Sequence, residues 1–406
     1  MPARTPPLAA YAINLLVFFA AGVRFLAIPL YSDHLGASAA VVGILFTVYN
    51  LPAAILAIPG GMLADRFGRR PTLFTGLVLG GLAQVAAGLT SDLGVLFVTQ
   101  VVGGVGIGLT QVVVMASLAD SVPRRRLGSA LGWFAICMQT GLLLGSAVGG
   151  MLLGVTGSDF RLLLMLSGIP TFGIALALAI PCVGRGTHSA SSERNGLATF
   201  SAPLRSFLRS PAVWAVIVAL FAGTLIWGTN QAYVAILSKR VYGLPTSTVG
   251  YLLAIQSVAS IVSRFPAGRL VDRFEHPGRL VVPGIVGFAA CQALLPHLHG
   301  FWMPALVLAL SMPFSGIAMT ALAVLFARAG EGGGQGTSMG FFSAVLYAGM
   351  ATGPALFAPL MNVDFSLGFT VSAVLALVLG VITLPPLSAA RRVTHGTAEL
   401  SPVDAG

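Results

Sequence analysis

The chain has 406 residues, 56% of them hydrophobic and only 8% charged, with a mean hydropathy of +0.92 and a net charge of +10. A soluble protein of this length needs polar surfaces over two or three domains, and 22 Lys+Arg with 12 Asp+Glu cannot supply them. Lipid is the solvent that fits, so an all-α integral membrane protein is expected, built from spans of about 20 apolar residues.

Taken in chain order, twelve spans are predicted. The first, 9–31, is too long for the apolar core of a signal peptide and carries Arg24 about fifteen residues in. The second, 38–61, contains Tyr49 and Asn50 and runs into GMLADRFGRR, a stretch with four charges in ten residues. Spans 71–90 and 94–118 follow. The fifth, 128–154, holds Gln139 and a glycine ladder of Gly132, Gly141, Gly145 and Gly149. After the sixth, 161–181, the longest polar interval reads as a linker. Six further spans are predicted at 212–236, 247–268, 280–297, 301–327, 336–360 and 365–387. The chain therefore divides into 1–184, a linker 185–211, a second bundle 212–387 and a tail 388–406.

Charge orients these spans. Seventeen of the 22 basic residues fall on the side of the termini and three (Arg161, Lys239 and Arg240) on the other, with Arg24 and Arg264 inside spans. The positive-inside rule then puts both termini in the cytoplasm, in a cytoplasmic or inner membrane. Topology accounts for the net charge, so no nucleic-acid partner is expected. Cys137, Cys182 and Cys291 show no metal-ligand spacing and read as packing residues. The six histidines lie in loops or at span ends, and no GxxxxGK[ST] loop is present. Neither a metal, a cofactor nor an enzymatic activity is expected. A membrane-embedded sensor or enzyme is the rival from another class, and the loops are short for one.

The two halves repeat. IPGGMLADRF at 58 returns as FPAGRLVDRF at 265, pairing Asp65-Arg66 with Asp272-Arg273 at an offset of 207. The ladder at 128 returns at 336, pairing Gly141 and Gly145 with Gly349 and Gly353 at an offset of 208, with Pro354 beside the last. Internal repeats of six spans mark secondary transporters whose substrate site lies between the repeats. On these motifs the chain resembles the major facilitator superfamily. Gly61-x-Leu63-Ala64-Asp65-Arg66-x-Gly68-Arg69-Arg70 is similar to that family's motif A. The span-five ladder resembles its antiporter motif, with Ser146 where the family has proline, and Gln100 stands at the span-four position where the family has arginine.

The resemblance implies two pseudo-symmetric six-helix bundles around a central cavity and alternating access. It puts Asp65 near the start of span eleven and Asp272 near the start of span five, as paired latches. Arg66, Arg69 and Arg70 either share in that latch or only anchor the loop by charge. The glycines and Pro354 serve close helix packing or an antiport bend. Offset-related polar residues suggest the cavity wall: Arg24 with Gln231, Tyr49-Asn50 with Gln256-Ser257, and Gln139 with Tyr347, joined by Trp227 and Asn230. Arg24 either faces this cavity or snorkels outward. No Asp or Glu lies mid-span, which disfavours cationic cargo. The expected function is efflux of small amphipathic solutes, neutral or anionic, by a monomer in the bilayer, with protons as candidate coupling ion. The alternative is an importer or exchanger of small organic anions using Arg24.

Overall fold

Proline, glycine and short polar turns divide the apolar chain into thirteen α-helices in the computed structural model, which describes residues 7–122, 127–157, 159–179, 211–274, 276–329 and 335–383. They are α1 (Pro7–His34), α2 (Ala39–Leu56), α3 (Pro59–Phe67), α4 (Arg69–Leu89), α5 (Leu93–Ser121), α6 (Leu127–Val155), α7 (Phe160–Ala179), α8 (Pro211–Arg240), α9 (Thr246–Arg273), α10 (Gly278–Leu294), α11 (Trp302–Ala329), α12 (Gln335–Val363) and α13 (Phe365–Ile382). Eleven are long and apolar enough to cross a membrane, and Phe160–Ala175 in α7 is a shorter apolar helix. The linker 185–211, except Pro211, and the tail 388–406 lie outside the described residues.

Two predicted spans differ in detail. The second stops at Leu56, turns at residues 57–58 and restarts as α3 with Pro59 in its first turn, because proline cannot donate to the preceding turn. Its repeat partner Pro266 stays inside the continuous α9. The ninth ends at Leu294 and closes with a 3₁₀ turn, Leu295–His297.

The first and last described helices begin and end at one face of the bundle, here the terminal end; the opposite face is the distal end. Three of the helices entering from the distal end start on carboxylate caps. Asp92 Oδ1 accepts from Val95 N at 2.9 Å, Asp159 Oδ1 from Leu162 N at 3.0 Å and Asp364 Oδ1 from Ser366 N at 2.8 Å. Each cap contributes about 0.5–2 kcal/mol and occupies the carboxylate with local backbone.

Packing within each half repeats as the sequence does. Helices α1 and α6 meet backbone to backbone: a Cβ on Gly22 would stand 2.6 Å from the Leu142 carbonyl oxygen, and one on Gly145 would collide with the Phe19 carbonyl. In the second half α8 and α12 meet in the same way, with Gly228 against Met350 and Gly353 against the Leu225 carbonyl. Only glycine permits so close an approach.

Among the described residues the halves share one apolar core. A single apolar core spans both at the distal end, joining Leu26, Leu30, Leu45 and Phe46 to Tyr233, Leu237, Leu252 and Phe357. Toward the terminal end each half has a core of its own, around Leu73, Leu77 and Leu118 in the first and Leu220, Leu322 and Phe326 in the second. Tyr347 of α12 packs against the first of these. Apolar side chains such as Val155, Trp302 and Val363 face outward, as lipid-facing residues do.

Candidate functional site

The predicted cavity residues divide between two places. The first lies inside the N-terminal half. Arg24, at mid-helix in α1, is only 2% exposed and points into the bundle, so it does not snorkel. Its Nη1 donates to Gln100 Oε1 of α5 at 3.1 Å. The guanidinium carbon lies 3.3 Å from the Tyr49 ring centroid, 4.6 Å from that of Phe25 and 5.3 Å from that of Phe46. Its Nε and Nη2 have no hydrogen-bond partner among the described residues. Together with Gln84, Thr110 and Thr171 it lines a half-open pocket formed by α1, α2, α4, α5 and α7, with no Asp or Glu in its wall. Aromatic faces offset part of the burial at about 0.5–2 kcal/mol each, against several kcal/mol for taking an ion out of water. The charge is therefore underpaid by its own protein partners.

The second place lies at the join of the halves. Gln139 and Ser146 of α6, Phe25 of α1, Trp227 and Gln231 of α8, and Gln256 and Ser257 of α9 line a small, half-open cavity. Gln139 Nε2 donates to Ser260 Oγ across the join. Asn230 sits behind this wall, fully buried: it donates to Gln292 Oε1 at 2.8 Å and accepts from Gln256 Nε2 at 2.8 Å. It orients Gln256 rather than facing the cavity. Asn50 is buried and donates to the Phe46 carbonyl of its own helix at 2.8 Å. Tyr347 does not line this cavity among the described residues.

Above this join the distal end is latched. Asp33, at the end of α1, accepts from Lys239 Nζ at 2.9 Å through Oδ2 and from Arg240 Nε at 2.8 Å through Oδ1. Arg240 Nη2 also reaches the Ala37 carbonyl at 3.0 Å. Below the ion pair, Gly150 of α6 faces Gly250 of α9, with a Cβ on the first 2.8 Å from the other's Cα. Thr47 Oγ1 of α2 donates to the Ala351 carbonyl of α12 at 2.7 Å. Reading loops by type passes over this latch, since Asp33 looks like any loop carboxylate. The signal was present in the repeat: Asp33 and Arg240 are 207 residues apart, the repeat offset itself. Equivalent positions near a two-fold axis face each other, and here they carry opposite charge. Gln292 and Ser260 carry no such signal.

The motif-A loop runs from α3 into α4. Gly61 packs near Val112, Arg66 and Arg273 are exposed, and Arg69 and Arg70 are half-buried. The Arg66 guanidinium lies 5.5 Å from the Phe67 ring. Gly68 joins the two helices at φ 93°, a backbone region open to glycine alone. The side chains of Asp65 and Asp272, and those at the start of α12, lie outside the described residues.

Long apolar helices, related halves and polar clusters buried between them define an integral membrane transporter. The family model of the Major Facilitator Superfamily matches residues 10–273 and 232–404, and the chain belongs to that superfamily. Its members bind small-molecule substrates within the membrane and are not enzymes. The class B tetracycline resistance protein of Escherichia coli is 24% identical over 325 residues, 79% of each chain. The quinolone resistance protein NorA of Staphylococcus aureus is 26% identical over 141 residues, about a third of either chain (35% of this one and 36% of NorA). Among solved structures, a bacterial homologue of the human lysosomal transporter Spinster, in an inward-facing, unoccupied conformation, aligns with a TM-score of 0.69 at 18% identity over 98% of both chains. The nucleoside transporter NupG aligns at 0.75 with 12% identity, over 94% of this chain and 98% of its own.

Proposed function

We propose that the protein is a secondary active exporter of small amphipathic organic solutes, neutral or anionic rather than cationic, working as a monomer by alternating access. The observation that carries this reading is the uncharged cavity at the join, walled by Trp227 and the amides of Gln139, Gln231 and Gln256. An aromatic face and several amides suit a flat solute with scattered polar groups, and they offer a cation no counter-charge. The resistance functions named for two relatives support export. The bias of basic residues supports cytoplasmic termini, with residues 1–184 and 212–387 as the rocking halves. On that orientation the fused distal core is the outer side, and the molecule is closed outward.

Inside-out vesicles energised with a proton gradient test the reading. Accumulation of a tetracycline or a quinolone, reversed by an uncoupler and absent for a quaternary ammonium dye, is the expected result. Gradient-independent movement removes proton antiport. Accumulation of the dye alone removes the substrate class. A second reading, exchange of small organic anions, is favoured by the buried charge of Arg24 and predicts benzoate-driven counterflow in the same vesicles.

A further inference from the structure

The charge of Arg24 lies apart from the cavity at the join, enclosed in the N-terminal half. Three aromatic rings surround the guanidinium and Gln100 takes its Nη1 edge. What remains is the Nε–Nη2 edge, two parallel N–H groups on one side of a planar fork, both buried and both without a partner. That edge matches the two oxygens of a carboxylate. The threonine hydroxyls of the wall are committed to their own helices: Thr99 donates to the Leu96 carbonyl at 2.7 Å, Thr110 to the Gly106 carbonyl at 2.8 Å and Thr171 to the Gly168 carbonyl at 2.7 Å. The wall also contains Gly80, where an added Cβ would meet nothing within 4 Å, while Gly76 and Gly106 serve the close approach of α4 and α5.

We propose that this intra-bundle cavity is a binding site for a monovalent carboxylate, held bidentately by the Nε–Nη2 edge of Arg24. One positive charge calls for one negative charge, since a dianion would leave the buried site charged again. The carboxylate belongs either to a small free acid or to a larger organic acid, and both present the same two oxygens. All of its lining residues belong to one half, apart from the cavity at the join, and the site rests on the same buried charge as the anion-exchange reading.

Thermal unfolding of the purified full-length protein tests the proposal at constant ionic strength, with sodium formate and sodium benzoate compared with chloride and with bulky gluconate. The expected result is a saturable rise in melting temperature with formate or benzoate, since a ligand binding only the folded state stabilises by mass action. Benzoate acting without formate identifies a larger acid, and formate acting as well as benzoate identifies the small ion. The decisive variant is Gln100→Glu, which sets a resident carboxylate against the guanidinium. It should melt in gluconate at least as high as the parent and lose the response to both acids. Arg24→Met should lose the response too, and Gln100→Glu decides alone if that variant does not fold. A response to chloride only, or one retained in Gln100→Glu, overturns the proposal.

Discussion

Asp33 shows how much one side chain does here. Its carboxylate is 11% exposed and faces two cations of the other half. Exposed ion pairs are worth about 0.2–1 kcal/mol, and a sheltered carboxylate shared by two donors exceeds that. Asp33→Asn keeps the shape and removes the charge, so it should shift the balance between closed and open distal ends by about 1–2 kcal/mol, roughly five- to thirtyfold. Labelling of a cysteine placed at Ser247 by a membrane-impermeant thiol reagent reads this directly. Unchanged labelling reduces Asp33 to a surface residue. The other distal carboxylates serve as a contrast, because Asp92, Asp159 and Asp364 are absorbed in capping helices.

Among the elements, the glycine seams bind each half together. Gly145→Val or Gly353→Val would push apart two backbones, and overpacking of this kind costs about 1–3 kcal/mol. The melting midpoint of either variant should fall, while Gly223→Ala, with nothing within 4 Å of its added Cβ, should leave it unchanged or raised. The motif-A loop makes a different prediction. Asp65→Asn should lower transport without lowering the amount of folded protein, by weakening a carboxylate contact at a helix start worth about 0.3–1 kcal/mol. Undiminished transport would leave the loop as a charge anchor. The helices themselves were legible in the sequence because lipid demands long apolar runs, and the seams because Gly141 and Gly145 recur 208 residues on. The kink at Pro59 was not, since Pro266 holds the equivalent place in the repeat and stays helical, with Ala267 where the first copy has Gly60. Nor was the division of the polar residues into two cavities. Arg24 and Gln231 occupy equivalent positions, yet the first turns into its own half and the second into the join, and the sequence offset alone does not distinguish the two directions.

For the whole molecule, the distal end joins the halves through one shared core. Gly154 and Ser247 face each other across α6 and α9, with a Cβ on the glycine 3.2 Å from that of the serine. Disulfides need about 3.5–4.5 Å, within reach of a small shift. A Gly154→Cys, Ser247→Cys pair, in a chain whose own three cysteines are replaced by alanine, should cross-link, arrest transport and recover it with reductant. Cross-linking without arrest would mean that the distal end need not part. The seams make each half a stiff lever. A helix of 28 residues such as α1 is ~42 Å long, so pivoting by about 10° at its middle carries each tip ~3.7 Å. That travel is longer than the 2.9 Å separating Asp33 from Lys239, while beside the pivot the Thr47–Ala351 bond hardly stretches. The ion pair at the tip therefore behaves as a trip-wire, intact through small oscillations and severed outright by a single modest swing.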